Sequence, residues 1–175
     1  GTVCSTDAAT VTLSGSQTGV NYQLKKDGVN VGSSTAGTGN AISWQNLYGA
    51  ATYEVVATEP GSGCQESMGT TTVTTAMSPT LFSVGGGGNF CSSTSTQVTL
   101  SGSQSGVTYQ LLRNGSAAGP TVSGTGNLLS WTVTANGTYT VVATGGAPCT
   151  PRTMTGSASI VLKPLGFTLT GGATI

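Results

Sequence analysis

Short runs in which every second residue is apolar recur along this chain. In Val20-Asn21-Tyr22-Gln23-Leu24 the apolar side chains fall on one face at the two-residue period of a strand. Similar runs, rich in Val, Thr and Tyr, cover residues 10–13, 20–25, 52–58 and 70–75, each bounded by Gly, Ser or Asn, and predict short strands. Asp27-Gly28 and Asn114-Gly115 sit between such segments. Both dipeptides tolerate positive φ at two successive residues, so each predicts a type I′ hairpin turn. No stretch sustains the 3.6-residue period of a helix. The chain reads as all-β.

The pattern is written twice. "TLSGSQTGVNYQL" at 12–24 returns 87 residues later as "TLSGSQSGVTYQL", changed only at Thr18/Ser105 and Asn21/Thr108. The same offset carries Cys4 onto Cys91, Trp44 onto Trp131 and Gly28 onto Gly115. After small deletions "TYEVVAT" falls on "TYTVVAT", Met68 on Met154 and Cys64 on Cys149. "SPTLFSVGGGG" (78–88) is echoed by "KPLGFTLTGGA" (163–173), with Pro79 on Pro164 and Phe82 on Phe167. Such periodicity marks a tandem array. It divides the chain into a first repeat at 1–78 that lacks its opening strand, a second at 79–164, and the opening segment of a third at 165–175. About 85 residues with six or seven strands predict an antiparallel β-sandwich of immunoglobulin-like kind. Tyr53 stands eleven residues before Cys64 rather than two, so the corner tyrosine and Trp–disulfide core of antibody domains are not expected.

Composition narrows the function. Only 6% of residues are charged, against about 25% in typical domains, with five acidic and five basic. Asp7, Asp27, Glu54, Glu59 and Glu66 all precede residue 67; beyond it only Arg113, Arg152 and Lys163 are charged. Scattered cations of this kind make no footprint for nucleic acid. No apolar run reaches membrane-spanning length, so no insertion is expected. Residues 1–7 carry neither the charged nor the apolar region of a signal peptide, which fits an interior or mature fragment.

With no histidine there is no Ser/His/Asp or Cys/His triad and no imidazole metal ligand. The second repeat has no carboxylate and can hold neither a glycosidase pair nor an acidic calcium cage, although backbone carbonyls remain as ligands. The five carboxylates of the first repeat read as surface charge. No enzyme activity and no cofactor are expected. "GGGG" (85–88) lacks the Lys-Ser/Thr of a phosphate loop and reads as a bend or bulge. Trp44 and Trp131 share a strand face with Ile42 and Leu129, favouring a core role over sugar stacking. Asn114 and Asn136 match the glycosylation acceptor pattern but are also Asn-Gly turns. Tyr48 has no counterpart in the second repeat and is a candidate ligand contact.

Four cysteines, two per repeat, allow three pairings. Equivalent spacing argues for one bridge in each repeat, Cys4–Cys64 and Cys91–Cys149, with free buried thiols as the alternative. Each such bridge would close about 60 residues and stabilise its domain by roughly 4 kcal/mol on the chain-entropy model. Disulfides would also place the protein in an oxidising, extracellular setting.

The strings "LSGSQTGVNYQL…DG…GTGNAISW…TYEVVAT…C" and "LSGSQSGVTYQL…NG…GTGNLLSW…GTYTVVAT…C" resemble the tandem repeats of large Bacteroidetes surface adhesins. These are the SprB-type gliding-motility adhesins and related proteins exported by the type IX system. The resemblance spans nearly the whole chain. It implies display at the cell surface, association with the outer membrane, and adhesion to polysaccharide or a solid substratum. Its partners would be neighbouring repeats. Read from the residues themselves, the short linkers Met77-Ser78-Pro79 and Leu162-Lys163-Pro164 predict end-to-end stacking. The segment 165–175 is expected either to fold onto its own second domain or to exchange as a strand onto the first domain of a neighbouring chain. A carbohydrate-binding module beside a secreted enzyme is the competing reading.

Overall fold

The structure is a computed structural model that describes residues 1–91 and 94–163. All its regular elements are strands. The described residues divide into two compact units: Gly1–Ser78 together with Gly146–Cys149, and Pro79–Gly145 together with the described residues from Thr150 to Lys163.

The first unit holds β1 (Thr2–Cys4), β2 (Ala9–Leu13), β3 (Asn21–Lys26), β4 (Val29–Asn30), β5 (Thr35–Ala36), β6 (Ile42–Leu47), β7 (Ala51–Thr58) and β8 (Gln65–Ala76). One sheet runs β1-β8-β7-β3-β4, with β5 also on β3; the other is β2-β6. The two-residue period is visible in burial. Tyr22 and Leu24 of β3, and Ala51, Tyr53, Val55 and Ala57 of β7, point inward. They meet Ala9 and Val11 of β2 and Ile42 and Leu47 of β6 in one apolar cluster. Each fully buried leucine or valine contributes about 1.5–3 kcal/mol by leaving water.

The second unit holds β9 (Val84–Gly86), β10 (Gly88–Cys91), β11 (Thr96–Leu100), β12 (Thr108–Arg113), β13 (Ser116–Ala117), β14 (Val122–Ser123), β15 (Leu129–Val133), β16 (Gly137–Thr144), β17 (Arg152–Thr153) and β18 (Ala158–Lys163). Its sheets are β10-β18-β16-β12-β13, with β14 on β12 and β17 on β16, and β15-β11-β9. Val98, Leu100, Tyr109, Leu111, Tyr139, Val141 and Ile160 fill the space between them.

Both turns form as their dipeptides predict. Asp27 and Asn114 have φ of 49°, followed by glycines at 82° and 83°. Each Oδ1 also accepts the backbone N–H of a neighbouring strand, from Thr52 and Thr138, at 2.9 Å.

The twice-written phrase builds one corner in each unit. The Gln17 N–H donates to the Tyr22 hydroxyl at 2.8 Å, and the Gln104 N–H to that of Tyr109 at 2.9 Å. Ser16 Oγ donates to the Asn40 carbonyl and accepts from the Thr38 N–H; Ser103 does the same with Asn127 and Thr125. Gln23 Nε2 donates to the carbonyls of Leu24, Val31 and Gly32, and Gln110 Nε2 to those of Leu111 and Gly119. The polar residues of the phrase hold their own unit together.

The glycine run marks a strand that changes sheets. Val84–Gly86 pairs with β11, and Gly88–Cys91 pairs in parallel with β18. Gly86, Gly87 and Gly88 have φ of 87°, 95° and 102°. A Cβ on Gly86 would lie 2.2 Å from the Gln97 carbonyl oxygen, and one on Gly87 2.6 Å from that of Ser159. Only glycine fits this crossing.

Candidate functional site

The cysteines depart from the expected pairing. The structure contains a single disulfide, Cys4–Cys149, whereas Cys64 and Cys91 are free and exposed. Strand register explains why neither repeat closes its own bridge. Cys4 ends β1, which runs parallel to the far end of β8 and faces Ala76. Cys64 immediately precedes Gln65, at the other end of that 12-residue strand. At about 3.3 Å per residue the two lie roughly 40 Å apart, against the ~7 Å between Cα atoms that a disulfide tolerates.

The second repeat has the same problem. Cys91 faces Lys163, and Ile160 faces Gly137 at the start of β16. From there to Thr144 the sheet spans about ten residues, roughly 33 Å. The five residues from Thr144 to Cys149 recover at most about 18 Å. The bond that does form buries both partners, with Cys4 5% and Cys149 8% exposed.

Cys64 is presented by an ordered turn. Glu59 Oε1 accepts from the Gly61 N–H at 2.9 Å and Oε2 from that of Ser62. The Glu59 N–H donates to the Cys64 carbonyl at 2.9 Å, and the Gly63 N–H to that of Glu59 at 2.8 Å. The Ser62 hydroxyl, then the Gly61 and Ser62 amides, favour the ionised carboxylate and hold its pKa below the usual carboxylate range.

Three of the other four side-chain carboxylates are occupied locally. Asp27 caps its hairpin, Glu54 accepts from Ser67 Oγ at 2.7 Å, and Asp7 accepts from Thr6 Oγ1 at 3.2 Å. Among the described residues no three His, Cys, Asp or Glu side chains gather around a common point. Arg113 Nε donates to the Asn136 carbonyl and Arg152 to that of Pro79, so these cations brace loops.

Trp44 and Trp131 are half-buried and pack against the apolar clusters. Tyr139 donates to the Ala135 carbonyl at 2.8 Å. The Tyr53 hydroxyl, buried in the first unit, has no such partner among the described residues, in line with the expectation drawn from its spacing to Cys64. The corner at Tyr139 was not expected, and the upstream carbonyl that completes it carries no sequence signal. Tyr48 is 59% exposed, and its carbonyl accepts from Lys26 Nζ. An open groove on the outer face of β3 and β7 is lined by Asn21, Gln23, Lys25, Asn30, Thr58 and Gln65. Amides and hydroxyls dominate it.

A second cleft has a clearer origin. Val11, Leu13, Tyr53, Val55, Met68 and Thr70 line a space of about 180 Å³ in the first unit. In the second unit the equivalent place is filled by the segment leading into β9. There the Phe82 N–H reaches Met154 Sδ, the Val84 N–H donates to the Thr155 carbonyl, and β9 pairs with β11. Met154 is accordingly 2% exposed, whereas Met68 is 40% exposed. Residues 165–175, which repeat this segment in sequence, lie outside the described residues.

No family model matches the chain, and no curated protein is similar to it in sequence. Solved structures do resemble it. A crystal structure of Rst D1-D2 is similar over 93% of this chain and 94% of its own, with a TM-score of 0.53 and 13% identity. Murine CEACAM1b is similar over 93% and 96%, with a TM-score of 0.51 and 12% identity. The fold is immunoglobulin-like. At such identities the likeness extends to the fold and no further.

Proposed function

We propose that this chain is a structural and adhesive segment of a long extracellular surface adhesin of a Bacteroidetes bacterium. It would serve as a stalk with weak multivalent contacts, in a type IX-exported protein of the gliding-motility kind. One observation carries the reading: the polar side chains of the repeated phrase are spent on the same corner in both units. What is written twice is scaffold, and a scaffold repeated along a chain acts through length and number. Its partners are neighbouring repeats and a polysaccharide or solid surface, and the reading includes no catalysis.

Beads bearing the chain at graded density test this on polysaccharide-coated and bare glass. Retention is expected to rise steeply with density, since linked weak sites gain about 10²–10⁴ in avidity. Saturable one-to-one binding of an oligosaccharide, lost in Tyr48→Ala, would overturn it in favour of a carbohydrate-binding module. The amide-lined groove is the observation that keeps that second reading in view.

The same reading assigns an occupant to the cleft beside Met68, namely residues 165–175 of a second copy. Phe167 and Leu169 match Phe82 and Val84 of the segment that fills the equivalent place in the second unit. Under reducing conditions the chain should associate head to tail as concentration rises, and a variant lacking 165–175 should stay monomeric. Identical sizing profiles for the two would remove the assignment.

A further inference from the structure

We infer that the free thiols of Cys64 and Cys91 are complementary halves of a second disulfide of the Cys4–Cys149 type, made between successive repeats or successive copies of this chain. The inference rests on the tandem-array part of the proposed function and not on adhesion.

The bond in the structure joins the first cysteine of one repeat to the second cysteine of the next, 145 residues on. Each free cysteine occupies the position of one bonded partner. Cys91 ends β10 as Cys4 ends β1, on a strand that pairs in parallel with the last strand of its sheet. The Asp7 N–H donates to the Cys4 carbonyl at 2.8 Å, and the Thr94 N–H to that of Cys91 at 3.0 Å. Cys64 follows β7 as Cys149 follows β16. The bonded pair is buried and their equivalents are exposed. Within each repeat the register forbids closure, as shown above. A rule that links the first cysteine of each repeat to the second of the next leaves Cys64 and Cys91 open on this chain, and it lets one molecule's Cys64 meet another's Cys91.

The chemistry needs an oxidant, for which a small-molecule disulfide such as oxidised glutathione serves. One protein thiolate attacks it and expels a glutathione thiol. The second thiolate then attacks the mixed disulfide and expels the other. Two protein thiols thus lose two protons and two electrons, and one glutathione disulfide becomes two thiols.

The test incubates the intact chain in a glutathione redox buffer and reads non-reducing electrophoresis and a peptide map. A ladder in steps of 17.2 kDa is expected, with Cys64–Cys91 peptides and Cys4–Cys149 retained. Cys64→Ser and Cys91→Ser should each remain monomeric alone, and mixing them should give a dimer and nothing larger. Both positions are exposed and unbonded, so circular dichroism should be unchanged in either variant. Dimers of a single variant, a monomer with Cys64 joined to Cys91 of the same chain, or Cys4–Cys64 peptides would each overturn the inference. Loss of bead adhesion with the ladder intact would instead count against the adhesin reading alone.

Discussion

Replacing Gly124 by alanine should unfold the second unit more readily than any other single-methyl addition at its glycines with negative φ. A Cβ there would lie 2.1 Å from the Gln104 carbonyl oxygen, 2.8 Å from its carbon and 3.0 Å from Tyr109 Cε2. The two nearest atoms are backbone, held by the Gln104 N–H on the Tyr109 hydroxyl and by the Gly124 N–H on the Val107 carbonyl. Relief requires the corner to open. That adds about 1–3 kcal/mol of overpacking to about 1 kcal/mol for each hydrogen bond released. A loss of about 3 kcal/mol or more is expected, which lowers the Tm of a domain this size by at least roughly 12 °C. Urea unfolding followed by Trp131 fluorescence in a Trp44→Phe background reads it. Gly15→Ala, with nothing within 4 Å of its Cβ, is the control and should cost well under 1 kcal/mol. A Gly124→Ala loss below about 1 kcal/mol would mean that the corner is slack. A Cβ on Gly37 would overlap the Gln17 carbonyl oxygen, so Gly37→Ala should do the same to the first unit.

That glycine also shows where sequence reasoning reached its limit. Strands over 52–58 and at Val20–Leu24 were legible because alternation and β-branched residues report a pleated, half-buried surface directly. The hairpins were legible because Asp-Gly and Asn-Gly name their own backbone conformation. Gly37 and Gly124 carry negative φ, so nothing in their local chemistry announces them. Their necessity comes from a carbonyl about twenty residues earlier in the chain. The strand crossing at Gly86–Gly88 was visible as a bend, but the change of sheet depends on pairing with β11 and β18, which no local pattern encodes.

The cysteines were hidden for a different reason. Equal spacing in two copies is satisfied as well by bonds within each repeat as by bonds from one repeat to the next. What separates the two is the course of the chain after Cys64. A single strand carries it 12 residues away, and β1 lies in parallel at the far end of that strand. Parallel pairing of an opening strand with a closing one is long-range, and a period-two pattern is silent about direction. The candidate ligand contact at Tyr48 was found by its lack of a counterpart, and the structure leaves it exposed.

The mechanical consequence of this pairing is large. When the chain is pulled by its ends, force passes from Cys4 to Cys149 through the disulfide, and the chain between them, a sequence separation of 145, bears none. At 3.3–3.6 Å per residue the oxidised protein withholds about 480–520 Å of contour length. Only the segments outside the bond can extend; the buried residues of the first unit's cluster lie inside it, whereas Met154, Ala158 and Ile160 of the second unit's cluster lie beyond Cys149 and take load. Reduction should therefore add about 480–520 Å of extension to the force–extension record, released as the two units unfold. Bridges within each repeat would instead hide roughly 200 Å apiece, leaving part of each unit to unfold before reduction. Equal extensions with and without reductant would show that the bond is absent from the loaded chain. A stalk wired from each repeat to the next would keep much of its length in reserve under tension, because each bond withholds the chain it spans.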